Sequence, residues 1–429
     1  MFEISRFPHN NNESKHISLD SPTPSKTHHR KTNFYRNLLA GTAIMLTIGV
    51  AAMSNNANAA PSGGVVTNGQ AVISTDGNKT SIHQDTARAA INWAGFDVAA
   101  NEKVEFIVPN KGATLNTISG SQTHIDGRIS SNGTLYFVNQ NGFVFGANSD
   151  VSAANVILST DKINVDQFMA NDKSNRQQFT ASDVKTATIS LNGTITTQDR
   201  GIVALFAPTI ENNKNAVITA HLGTVALASG TVNTIDFNGD GLMKFELSDS
   251  GQGLSVTNNG RITAAGGQVI LTAKRAKDFL NNVVTNNGMI DTEGEAGQSG
   301  KITLSAVNGV VKLGGGSINS GNKGDLILSQ TANNADLTLD SNSLSTIKFA
   351  PGMNLSLISG RDVTINNALN LGNLSITAVR HIALNNTLTG HGNISLTAGG
   401  NILLYNTLST DGNLVLTAKN SGMIAAAKA

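Results

Sequence analysis

The sequence contains no cysteine. That single absence removes disulfides, thiolate zinc sites and a cysteine nucleophile together. Aromatic residues make up only 4% and charged residues 14% of the 429 positions, too few for a fold of helices built on Leu, Glu and Lys. The formal net charge of +1 leaves no field that would steer the chain onto nucleic acid or an anionic membrane, so no nucleic-acid partner is expected. What the chain does have is 43 glycines and 39% apolar residues, a mixture suited to many short strands joined by tight turns. The expected class is all-β. An exported protein without disulfides needs either a large core or a reason to stay unfolded until it has crossed a membrane.

Export is written at the N-terminus. A polar leader ends in the basic cluster Lys26, Arg30, Lys31 and Arg36, and Leu38 to Met53 then runs sixteen residues without a charge. Ala57-Asn58-Ala59 follows. Basic region, apolar region and small-residue cleavage site in that order specify a signal peptide over residues 1–59, cut after Ala59, with Ala57 and Ala59 as the small residues. The rival reading is a membrane anchor, but the apolar run is shorter than the roughly 20 residues of a spanning helix. The mature chain is not expected to be transmembrane.

From about residue 70 the chain repeats itself. Near the C-terminus, similar phrases begin at Asn354, Asn373, Asn393 and Asn413, spaced by 19, 20 and 20 residues. In one of them Leu374, Ile376 and Ala378 alternate with polar residues, then Ile382 and Leu384 alternate again, which predicts two short strands with one face inward. Such a unit closes a core only when stacked on copies of itself. Earlier, Asn132-Gly133, Asn192-Gly193, Asn259-Gly260 and Asn287-Gly288 are each followed two residues later by Leu or Ile. These are turns feeding strands, because Asn and Gly tolerate positive φ. A second phrase, Gly-x-Val/Ile-x-Leu, recurs at Gly201, Gly223, Gly267 and Gly300 and reads as the strand that follows.

Asn-Gly turns also suit antiparallel hairpins in a sandwich or barrel. A repeat near 20 residues favours a solenoid instead. The expected fold is therefore a right-handed parallel β-helix, a single-stranded solenoid of the pectin-lyase type with an N-terminal cap. About 370 residues would make roughly 17 coils over about 80 Å. Val165 to Phe179 breaks the alternation and is expected to leave the coil as a short helix or loop. A Gly-rich shift over residues 305–326 divides an irregular N-terminal part from regular C-terminal repeats.

The segments INWAGFDV (Ile91 to Val98), VEFIVPN (Val104 to Asn110), TLNTISG (Thr114 to Gly120), the run from His124 to Val151, and LST (Leu158 to Thr160) resemble, in order and spacing, the secretion domain of filamentous-haemagglutinin-like two-partner exoproteins. The resemblance covers about residues 64–310. It implies a β-helix whose capped N-terminal end is recognised by an outer-membrane barrel, which passes the exoprotein through unfolded. The family's Asn-Pro-Asn-Gly-Ile element falls on Asn139, Gln140, Asn141, Gly142 and Phe143. Both asparagines and the glycine are kept, and Gln140 stands where the family has proline. The resemblance gives these five residues a role in secretion; by themselves they read as a turn within a coil. Trp93 and Phe96, scarce aromatics, read as the plug at the open end of the rod, which solenoid ends need; direct contact with a partner is the other reading.

Elsewhere the chain offers little that reads as catalytic or metal-binding chemistry. β-helical polysaccharide lyases and hydrolases gather carboxylates on one sheet face, whereas the acids here are scattered and no pair repeats at coil spacing. Asp236 to Gly241 resembles the start of a calcium loop, but position twelve is Leu247, with Glu246 one short. A polar turn explains the same residues. His83, His124, His221, His381 and His391 show no ligand spacing, and no nucleophile elbow, phosphate loop or dinucleotide fingerprint is present. No catalytic residue, metal or cofactor is expected.

The expectation is then a signal peptide over 1–59, a two-partner secretion domain over 60–310, and further β-helix coils over 311–429. The product would be a non-enzymatic exoprotein, secreted or at the surface of a Gram-negative-type cell and adhesin-like. Its partners would be an outer-membrane transporter with periplasmic binding domains and a host-cell or matrix receptor. The alternatives are a β-helical carbohydrate-active enzyme, a passive surface-layer protein, or a cytolytic or haem-scavenging member of the same family. The repeats run on toward Ala429 and show no separate effector segment, which disfavours toxin delivery and leads to the expectation of a short or truncated member.

Overall fold

The computed structural model describes residues 60–170, 176–180, 182–237, 243–248, 254–274, 282–295 and 298–426. The basic leader, the apolar run and the Ala57/Ala59 cleavage site lie outside the described residues. So do residues 238–242 of the calcium-loop reading.

The described chain winds as a parallel β-helix. A full coil contributes one strand to each of three faces, as in Thr134–Asn139, then Phe143–Phe145, then Asp150–Ala153, before Asn155–Ser159 returns to the first face. The first face is a continuous 14-stranded sheet, and the other two begin as sheets of 7 and 10 strands. Those two end at Val310–Leu313 and Ser317–Asn319. Five- and three-stranded sheets take over for the C-terminal coils.

The pairing follows the repeats. Leu355 pairs with Leu374, Leu374 with Ile394 and Ile394 with Leu414, the same offsets as the asparagine phrases. Val203, Val225, Val269 and Ile302 likewise stand in one inward column. Because the side-chain period of a strand is two, in-register stacking repeats the same inward positions coil after coil, and most of them are apolar. One core therefore runs from Ile82 to Ile402.

Three details depart from the sequence reading. Each C-terminal unit has a third strand, such as Leu388–Gly390, because three residues are too short to show an alternation. Asn132-Gly133 feeds the 14-stranded face, whereas the other three Asn-Gly pairs feed the ten-stranded face; one turn chemistry serves two corners. The coils are also fewer than the estimate of roughly 17, since the longest face holds 14 strands. The cap and the excursions consume the difference.

The excursions leave at one corner. After Asn155–Ser159 the chain forms Lys162–Ile163, the helix Val165–Ala170 and the strand Arg176–Thr180; after Thr224–Ser229 it forms Thr231–Phe237 and Met243–Ser248. These four strands make a separate antiparallel sheet. Phe168 and Phe179 pack with Tyr136, Ile157 and Phe206 on the outer side of the long sheet. Runs such as Leu135 to Val138 and Val203 to Phe206 are apolar without alternation because these strands are buried on both sides. Arg88 closes this layer, its guanidinium 4.9 Å from the Phe168 ring and donating to the Phe168 carbonyl at 2.7 Å. Burial pushes the Tyr136 phenol well above its ordinary range.

At the N-terminal end, Val65–Asn68 runs antiparallel to Arg88–Trp93, and Ala71–Asp76 runs antiparallel to Lys79–Gln84. Reversed strands of this kind end the parallel stacking and leave two short edges in place of an open coil.

Candidate functional site

The turn Asn139 to Gly142 connects the first face to the second, at the corner where the excursions leave in later coils. Asn139 ends its strand fully buried, and its amide is matched almost completely. Nδ2 donates to the Ser121 carbonyl and to Thr123 Oγ1, both at 2.8 Å, while Oδ1 accepts the Asn141 N–H at 2.9 Å. The last bond is an Asx turn, the local pattern that asparagine offers. The Gly142 N–H returns to the Asn139 carbonyl at 3.0 Å, and the Gly142 carbonyl accepts the Thr123 N–H at 3.1 Å. Asn141 is exposed and clips the preceding coil from outside, donating to the Gly120 carbonyl at 2.7 Å.

Gly142 has φ +89, and a Cβ there would collide with the Thr188 carbonyl of the next coil. Glycine is thus required twice, by backbone conformation and by stacking. Phe143 enters the core beside Phe145, ring centroids 6.4 Å apart. Gln140 is half-buried, and its Oε1 faces Ser182 Oγ at 3.5 Å. Ser182 lies where the first excursion returns, its N–H bound to Asp161 at 2.9 Å. The turn is therefore held by Gly120 to Thr123 on one side and by Ser182 and Thr188 on the other.

Trp93 and Phe96 both lie inside the first coil. Their rings meet edge to face at 5.0 Å, and Phe96 continues to Phe137 at 5.0 Å and Phe106 at 6.4 Å. The Trp93 indole N–H donates to Asn116 Oδ1 at 3.0 Å, a buried pair. Gly64, just before the first strand, lies against the Trp93 ring. The reversed N-terminal strands thus lie over these aromatics, and neither ring is exposed.

The histidines stand apart. His221 pairs with Asp199 at 3.0 Å and His391 with Asp411 at 2.9 Å, His124 lies 3.9 Å from Asp97, and His381 Nδ1 accepts the Asn401 N–H. Among the described residues no three His, Asp or Glu side chains come together as a metal site. No helix among them is long and apolar enough to cross a membrane.

The family described as the TPS secretion domain matches residues 57–320, a span that includes the whole turn and the aromatic end. The chain belongs to the two-partner secretion family. Two heme/hemopexin-binding proteins of Haemophilus influenzae are similar in sequence. One is 28% identical over 268 residues, which is 61% of this chain and 29% of that protein. The other is 26% identical over 252 residues, 54% of this chain and 27% of that protein. The chain thus spans less than a third of the length of either relative. Among solved structures, the crystal structure of the HMW1 secretion domain from Haemophilus influenzae aligns with a TM-score of 0.57 at 21% identity, covering 86% of this chain and 100% of that one. This likeness shows a shared fold. The match to the secretion domain ends at residue 320, beside the last strand of the ten-stranded face.

Sequence reading did not find the partners of the turn, Ser121, Thr123, Ser182 and Thr188, because a serine or threonine in a connection or at a strand start carries no signal of its own. It also missed Asn212, Asn258 and Asn286, which point inward. Asn212 Nδ2 donates to Asn258 Oδ1 and Asn258 Nδ2 to Asn286 Oδ1, both at 2.7 Å, with all three buried. The available signal was the doubled asparagine at Asn212-Asn213, Asn258-Asn259 and Asn286-Asn287.

Proposed function

We propose that this chain is a non-enzymatic exoprotein, carried across the inner membrane by a signal peptide over residues 1–59 and through the outer membrane of a Gram-negative cell by a dedicated barrel. The barrel's periplasmic binding domains recognise the N-terminal coils, and the chain passes unfolded and folds outside. The absence of cysteine suits that route, since no disulfide forms in the periplasm to obstruct passage. Folding outside proceeds by stacking, each finished coil offering a strand edge to the next. The secretion domain over residues 57–320 is the observation that carries this reading. Within it, Asn139 to Phe143 are the residues proposed to matter for recognition, while Trp93 and Phe96 close the end of the core. At the surface the rod serves as an adhesin, meeting a host-cell or matrix receptor along its length.

A second reading, capture of a haem-carrying protein, is favoured by the two relatives named as heme/hemopexin-binding proteins. Retention of this protein on immobilised hemopexin would favour it over adhesion. The secretion reading is tested at the turn. Asn139→Ala with Asn141→Ala, co-expressed with the barrel, is expected to lower release into the medium while the refolded variant remains soluble and rich in β-structure. Undiminished release would reduce the motif to a plain turn.

A further inference from the structure

Where the long sheet passes from its N-terminal to its C-terminal coils, its outer side carries a polar cleft of about 230 Å³. Its floor is backbone. Gly223, Gly267 and Gly300 precede successive strands, and a Cβ on Gly267 or Gly300 would strike the carbonyl of the glycine one coil below. Stacking thus imposes glycine here and leaves a trough. Lys301 and Lys323 flank it, and neither ammonium makes an ion pair or a side-chain hydrogen bond among the described residues. Gln268, in register beside Lys301, has a side-chain carbonyl shielded from solvent with no donor.

Asp325 is the one carboxylate in the lining. It accepts the Asn354 amide at 2.8 Å, which leaves two cations against one anion. Beyond Asp325 the cleft opens into a groove of about 420 Å³ that carries no cation. Ser356, Ser375 and Ser395 line it in register, their hydroxyls unbonded among the described residues. From Gln268 to Ser395 the track crosses six strands, about 24 Å at the usual strand spacing.

We propose that this track binds a largely neutral oligosaccharide that ends in one carboxylate-bearing sugar, the carboxylate between Lys301 and Lys323 and the neutral sugars along the serine column. The charge pattern decides against a polysulfated chain, whose further charges would lie over uncharged Ser and Asn. The inference names a ligand class for the surface-binding reading above and rests on it, but it does not depend on the secretion route.

The test uses the purified chain and calorimetry with three probes: xylotriose bearing one glucuronic acid, neutral xylotetraose and a heparin-derived tetrasaccharide. The glucuronate probe is expected to bind about tenfold more tightly than the neutral one, the scale of a hydrogen bond to a charged group. Lys301→Ala with Lys323→Ala is expected to erase that preference without changing the melting temperature, while Lys312→Ala, outside the cleft, leaves it intact. Equal affinity for the acidic and neutral probes, tighter binding of the heparin probe, or a preference that survives the double substitution would each overturn the proposal. Cell adhesion that persists in the double variant while the sugar preference is lost would leave the adhesin reading standing and place its receptor site elsewhere.

Discussion

Two asparagine ladders run through this protein, one inside and one outside. In the N-terminal coils Asn212, Asn258 and Asn286 stack within the core, in a column that continues to Leu191 on one side and Leu313 on the other. In the C-terminal coils Asn354, Asn373, Asn393 and Asn413 stack on the surface, each side-chain oxygen accepting the backbone N–H of the next. The same residue at the same coil period does different work. Outside, it ties turns that water could also satisfy. Inside, the amides bond one another along the column and nearby backbone carbonyls, away from water, so the inner ladder fixes register at the corner between the second and third faces.

Of the changes that probe this contrast, Asn258→Leu carries the largest cost. It strands the Asn212 amide and the Asn286 carbonyl in the core, and a loss of about 3 kcal/mol is expected by denaturant unfolding, since each stranded group costs about 1–3 kcal/mol. Replacing Asn212, Asn258 and Asn286 together by leucine should cost less than the single change, because the column is then apolar throughout and, beyond the ladder itself, only the contacts from Asn286 to the Gly288 carbonyl and from Asn258 to the Met289 carbonyl are lost. A triple variant less stable than Asn258→Leu would contradict this account of the ladder. Asn393→Ala in the outer ladder should cost under about 1 kcal/mol, because water replaces the lost partner. A cost matching that of Asn258→Leu would remove the distinction between the two ladders.

The smallest effect is acid sensitivity of the C-terminal coils. Burial pulls the Asp362 carboxyl up, but hydrogen bonds from Arg380, at 2.6 and 3.1 Å, and from the His381 N–H outweigh it, aided by the charges of both residues. The folded carboxyl is held below its ordinary range. Its contribution is therefore present above the unfolded pKa and is lost as pH falls through the lower folded value. Asp362→Asn should flatten the acid limb of the melting temperature slightly, because the Arg380 side chain is half-exposed and solvent screens the pair. An unchanged acid limb would mean that this pair contributes no measurable stability.

How much the sequence revealed also differs between the regions. In the C-terminal coils almost every inward residue was readable, because Leu374, Ile376 and Ala378 alternate without interruption. In the N-terminal coils the turn at Asn139 to Phe143 was found through family resemblance and the Gly-x-Val/Ile-x-Leu strands through repetition. The excursions hid the rest. By covering the outer side of the long sheet they allow Tyr136, Ile157 and Phe206 to be apolar where a coil would normally be polar, and this erases the period of two. Asn212, Asn258 and Asn286 escaped because an inward polar residue breaks the rule by which inward positions are recognised.

The central claim, that a dedicated barrel carries this chain out of the cell, is tested most directly by expressing the full sequence in a Gram-negative host with and without a candidate barrel and measuring protein in the medium. Release that depends on the barrel is the predicted result. Equal release in its absence would contradict the claim.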